Sequence, residues 1–144
     1  MKILEQCFRV YSSAEAFERT IAFYEKLQSA TCARRVLIQE TGVVAARVGA
    51  FLILGGDGEA MIAARDVHGI SYVENLDAFA RLLREQGGEI LQGPRTVTSG
   101  RNFTARHPDG TIMEYFEAAG AVGADLLTRA EDAVRRRTAR DPRS

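Results

Sequence analysis

The chain has 144 residues, 46% of them hydrophobic, and no formal net charge at neutral pH. That is enough apolar material for one domain with its own core, and the balanced charge argues against a nucleic-acid partner. No apolar run approaches the roughly 18 residues of a membrane span. The absence of a charged-then-apolar leader, with Cys7 and Cys32 as the only cysteines, makes a reducing cytoplasmic setting the expectation.

Taken in chain order, Ile3 to Tyr11 alternates as a strand does. Ser12-Ser13-Ala14-Glu15 has the pattern of a capping box. Phe17, Ile21, Tyr24 and Leu27 then recur at helical spacing, which predicts a helix over 13–28. Extended runs are expected near 31–39, 42–48 and 50–54, and Gly55-Gly56-Asp57-Gly58 reads as a flexible loop.

The second half repeats this order. Val67 to Glu74 predicts a strand, and Asn75 caps a helix over 76–86 whose apolar face is Leu76, Phe79 and Leu83. Gly87-Gly88 ends it. Extended runs follow near 88–91, 101–107 and 111–117. The halves align locally, with Val10 answering Val73 and Ala16-Phe17 answering Ala78-Phe79. The predicted class is therefore α+β, a β-α-β-β-β unit used twice, with modules at about 3–58 and 66–117 inside a domain spanning 1–118. In the remaining 119–144, Val122, Leu126, Leu127, Ala130 and Val134 lie at helical spacing. Arg135-Arg136-Arg137 stands where a helix dipole favours cations, so a C-terminal helix followed by a disordered end is expected.

One acid stands out. Glu114 lies in the otherwise apolar strand 111–117, just after the tight turn His107-Pro108-Asp109-Gly110. A buried unpaired charge is costly, so Glu114 either faces water or meets a partner. Alternation places Glu5, Cys7 and Arg9 on one strand face, His68, Ile70 and Tyr72 on another, and Ile112, Glu114 and Phe116 on a third. If these faces line one cavity, the wall is apolar and aromatic with one cation and a few acceptors, a common composition for small-molecule sites.

Phe8-Arg9-Val10, Ile21-Ala22-Phe23-Tyr24-Glu25-Lys26-Leu27, His68 to Val73 with Leu76-Asp77-Ala78, and His107-Pro108-Asp109-Gly110 to Glu114-Tyr115 together resemble the vicinal oxygen chelate superfamily. That superfamily includes glyoxalase I, extradiol dioxygenases and bleomycin-resistance proteins. The resemblance, over residues 3–117, implies sheets curled into a cup, a homodimer, and metal ligands on the first and last strands of each module. Carried over by position, these fall on Glu5, His68 and Glu114, while the fourth lies in Phe51-Leu52-Ile53-Leu54 and has no ligating side chain. A His with two carboxylates suits Mn, Fe, Ni or Zn, so the cofactor is either absent or one such divalent ion.

Without an ion, Glu5 is expected in solvent or paired to an arginine such as Arg9, His68 as a wall residue, and Glu114 paired to Arg101, Arg106 or His107. The incomplete ligand set favours a bleomycin-resistance-type protein that sequesters a small aromatic metabolite or drug. Its expected binding residues are Cys7, Arg9, Ile70, Tyr72, Asn102, Ile112 and Phe116. The alternative is a metal-dependent lyase, isomerase, transferase or dioxygenase acting on vicinal oxygens, with Glu114 as its catalytic residue.

Overall fold

The computed structural model describes residues 1–120. The predicted C-terminal helix lies outside the described residues. Each half contains a strand, a helix and three strands. The first half is β1 (Lys2–Ser12), α1 (Phe17–Gln28), β2 (Arg34–Ile38), β3 (Val43–Val48) and β4 (Phe51–Gly55). A short helix, α2 (Glu59–Ala64), links it to β5 (Gly69–Glu74), α3 (Leu76–Glu85), β6 (Glu89–Val97), β7 (Gly100–Arg106) and β8 (Ile112–Ala118).

All eight strands form one sheet in the order β2-β3-β4-β1-β5-β8-β7-β6. β1 runs parallel to β4 and β5 parallel to β8, while β1 and β5 meet antiparallel at the centre. The two modules thus join through their first strands. β2 and β6 are the sheet's opposite edges, yet Thr98 in the β6–β7 turn donates a hydrogen bond to Glu40 in the β2–β3 turn. Opposite edges meet in this way because the sheet curls into a cup.

Both long helices cover the outer face. Phe17 and Ile21 of α1 pack on Ala46, Val48 and Ile53. Leu76, Phe79 and Ala80 of α3 pack on Val73, Phe103, Ala105 and Tyr115. The strand period of two sends the intervening residues inward, where Ala45, Leu54 and Met61 form one cluster and Cys7, Ile70 and Phe116 another.

Three expectations change in detail. Ser12 does not cap α1: its Oγ donates to the Ser13 carbonyl at 3.1 Å, and α1 starts only at Phe17, with no side-chain cap. The loop after Gly55 leads into α2, whose six residues are too few to display a helical period. Its Met61 seals the first inner cluster. β6 runs past the expected residue 91 to Val97; it tolerates Pro94 because it is an edge strand.

The predicted cap of α3 is present and is doubled. Asn75 Oδ1 accepts from the Ala78 amide at 3.2 Å, and Glu117 of β8 accepts from the Asn75 and Leu76 amides at 2.6 and 3.2 Å. Asn75 sits at φ 62°, in the left-handed region. Asn75→Ala should therefore cost about 1–2 kcal/mol, through the lost cap and the unfavourable backbone. Asn75→Gly should cost only a few tenths. Urea unfolding of the two variants checks this difference.

Candidate functional site

β1, β8 and β7 carry the inner polar groups. β1 presents Arg9 and β8 presents Glu114, and the curled sheet brings their side chains together although 105 residues separate them. Arg9 Nη1 lies 3.0 Å from Glu114 Oε1, and the two side chains are only 8% and 16% exposed. The other carboxylate oxygen accepts from Asn102 Nδ2 at 2.9 Å. Both Glu114 oxygens are thus engaged, as a buried acid requires. Arg9 also lies over the Tyr11 ring, 5.3 Å from its centroid, where a cation is attracted by the π-face.

Beside this pair is a cavity of about 510 Å³ whose walls include Arg9, Tyr11, Arg65, Asp66, His68 and Ile112. Burial pushes the Tyr11 hydroxyl up to about 12, so it stays protonated and donates to the Val67 carbonyl at 2.6 Å. The Ile112 amide approaches His68 Nδ1 at 3.1 Å. The same nitrogen lies 3.2 Å from the Ile112 carbonyl oxygen, so the Ile112 backbone fixes the ring on the cavity wall.

The predicted residues separate into two groups. Arg9, His68 and Ile112 line the cavity, and Asn102 steadies Glu114. Cys7, Ile70 and Phe116 are instead packed together, with Tyr72 at their margin in an edge-to-face contact with Phe116 (ring centroids 5.9 Å apart). Burial raises both the Cys7 thiol and the Tyr72 hydroxyl above their ordinary values. A raised thiol is a poor nucleophile. Ellman's reagent at pH 8 should accordingly label Cys32 in the native chain and reach Cys7 only after denaturation.

The carboxylate partners differ from those expected. Glu114 pairs with Arg9 rather than Arg101, Arg106 or His107. Arg101 is held by Asp77, Arg106 by Glu89, and His107 Nε2 contacts the Tyr115 hydroxyl at 2.7 Å. Glu5 pairs with Arg47 rather than Arg9, and that guanidinium holds the Glu5 carboxyl below the usual range.

Glu5, His68 and Glu114 do not converge. Glu5 is registered opposite Tyr72. His68 lies four residues before Tyr72, about 13 Å along the strand at roughly 3.3 Å per residue. Donors on one ion must all lie about 2 Å from it. Among the described residues no three His, Cys, Asp or Glu side chains form a group able to hold a metal ion. The carboxylates offered for that role are occupied by arginines, so this donor set does not fit a divalent ion.

Tyr11, Arg65, Asp66 and Val67 line the cavity but were not among the predicted residues. Tyr11 shares the alternating face of Arg9, a signal available in the sequence. Arg65 and Asp66 lie in a connection whose path no strand or helix period reveals, and Val67, expected to begin the strand, precedes β5 by two residues.

No family model matches the chain, and no curated protein matches it. Solved structures do. An uncharacterised protein from Methanosarcina mazei is 38% identical, with a TM-score of 0.73 over 85% of this chain and 98% of that one. Methylmalonyl-CoA epimerase from Mycobacterium tuberculosis is 18% identical, with a TM-score of 0.61 over 82% of this chain and 90% of that one. The Q60A form of the Streptomyces coelicolor methylmalonyl-CoA epimerase, in complex with 2-nitronate-propionyl-CoA, is also 18% identical. Its TM-score is 0.59 over 83% of this chain and all (100%) of that one. At that identity the epimerases establish a shared fold, the curled eight-stranded sheet described above. The chain belongs to the same family as the uncharacterised Methanosarcina mazei protein.

Proposed function

We propose that the protein captures a small organic molecule in the cavity beside Arg9 and holds it unchanged, as a bleomycin-resistance-type binding protein does. The observation that carries this reading is the cavity itself: about 510 Å³, with Arg9, Tyr11 and His68 on walls that also include Ile112. Its size suits a small ligand, and a few polar groups on a partly apolar wall fix orientation. Cys7, Ile70, Tyr72 and Phe116 then support the floor, and Arg9 and Ile112 make contact. The captured class is a flat metabolite or drug of benzene-ring size.

The protein acts as a homodimer in this reading. Support comes from an exposed aromatic row on the outer surface, where Phe8 is 63% and Phe23 58% exposed. Phe8, Phe51, Tyr24 and Phe23 follow one another at ring spacings of 5.5, 4.6 and 5.1 Å. A contiguous apolar surface of this kind marks an interaction site. Sedimentation equilibrium reads the mass directly.

The test of function is calorimetric titration of the full chain with aromatic acids, amides and phenols. Methylmalonyl-CoA with added Mn, Fe(II), Ni or Zn serves as a turnover control. Saturable binding without conversion is expected. Conversion of any panel member on addition of metal would replace this reading with the metal-dependent one.

A further inference from the structure

We infer that residues 121–134 form a helix that docks on the outer face of β1 of the same chain, in the trough between α1 and α3. α1 rests on β3 and β4, and α3 on β6, β7 and β8, so the central strands β1 and β5 lie between them. The outward groups of β5 there are small and buried: Gly69, Ser71 and Val73. β1 instead sets its own in water. Ile3, registered opposite Val73, is 42% exposed, Leu4 at the bulge beside it is 42% exposed, and Phe8 is 63% exposed. A run of exposed apolar side chains on a central strand marks a contact surface. Two strands span about 10 Å across the sheet, and a helix with its side chains is about 10–12 Å wide. The trough has room for one helix.

The C-terminal segment suits this trough in position, length and pattern. Phe116 is registered opposite Tyr72, which brings Ala118 level with Glu74, and Glu74 faces Lys2. The chain therefore leaves the sheet about 10 Å from the start of β1. Gly120, at φ 97°, turns it out of the strand line without strain. Val122, Leu126, Leu127, Ala130 and Val134 form one stripe at helical spacing. From Val122 to Val134 a helix runs about 18 Å, and Ile3 to Phe8 covers about 17 Å of strand. Stripe and exposed strand match end to end. At Phe8 the docked helix meets the aromatic row, so it extends the surface offered to a second copy and does not replace it.

The test reads methyl NOEs in the full chain. Cross-peaks are expected between Leu126 or Leu127 and Ile3 or Leu4. In a mixture of differently isotope-labelled chains they should arise within one chain. Trypsin gives a second readout, through cleavage after Arg129 in the middle of the stripe. Leu4→Asp, at an exposed site, should release the segment and speed that cleavage about tenfold or more. Leu91→Asp, exposed on the edge strand β6, should leave the rate unchanged. Absence of the cross-peaks, or cleavage unmoved by Leu4→Asp, overturns the docking. Cross-peaks that arise only between chains overturn the same-chain arrangement and make the occupant the segment of a second copy. The wild-type spectra do not depend on the stability of any variant. Ligand capture is tested separately by the calorimetric titration.

Discussion

Arg9→Met is expected to lower the unfolding free energy by about 3–5 kcal/mol, the cost of breaking a buried ion pair from one side. The pair is nine-tenths buried at Arg9, and Glu114 is nearly as enclosed. Removal of the guanidinium leaves the carboxylate with Asn102 as its remaining side-chain partner. One amide does not compensate a desolvated charge. Glu114→Gln should cost less, because the amide oxygen can still accept from Arg9 or Asn102. The double variant Arg9→Met/Glu114→Met should recover much of the loss, since apolar replacements of buried pairs are often neutral or better. Denaturant unfolding of the four proteins closes a double-mutant cycle and isolates the coupling. If Arg9→Met alone were neutral, the pair would be solvated rather than buried. A recovered double variant that no longer binds a panel member the wild type captures would separate the pair's role in binding from its role in stability.

Phe103→Ala should cost a similar amount, about 3–5 kcal/mol, for a different reason. Phe103 is 1% exposed and is registered opposite Tyr115 on the neighbouring strand. The rings stack at 4.9 Å with planes 17° apart, and Tyr115 stacks in turn on Phe79 of α3 at 6.0 Å. Truncation removes the apolar transfer energy and leaves a cavity between sheet and helix. Phe103→Leu should cost less because it fills more of that space. Phe8→Ala, at an exposed position, should stay within about 0.5 kcal/mol in the monomer. Urea midpoints compared at a constant m-value check the ranking. The two losses should be nearly additive, because Phe103 packs on the outer face and Arg9 on the inner one.

How much was legible in the sequence follows from the range of the forces involved. Strand alternation and helical spacing are local, so the doubled β-α-β-β-β order could be read directly from Phe17 and Ile21, and again from Leu76 and Phe79. The Asn75 cap was equally local. The same alternation put Cys7 and Arg9 on the inner face with Ile70 and Glu114.

Strand register is not local. It sets Glu5 beside Tyr72 and keeps it from His68, and a change of pairing along β1 would have brought different side chains together. Partner choice for each acid was likewise hidden, because Arg9 and Glu114 meet across 105 residues and Arg47 reaches Glu5 from another strand. The sequence by itself determined the repeated strands and long helices and the alternating faces of the strands, because these depend on neighbours a few residues away; α2 and the length of β6 were not among them. Only the tertiary structure decided the pairings, since the curl of the sheet, which no local period encodes, selects which inward groups touch. It packed Cys7, Ile70 and Phe116 against one another and left Arg9 beside an open cavity.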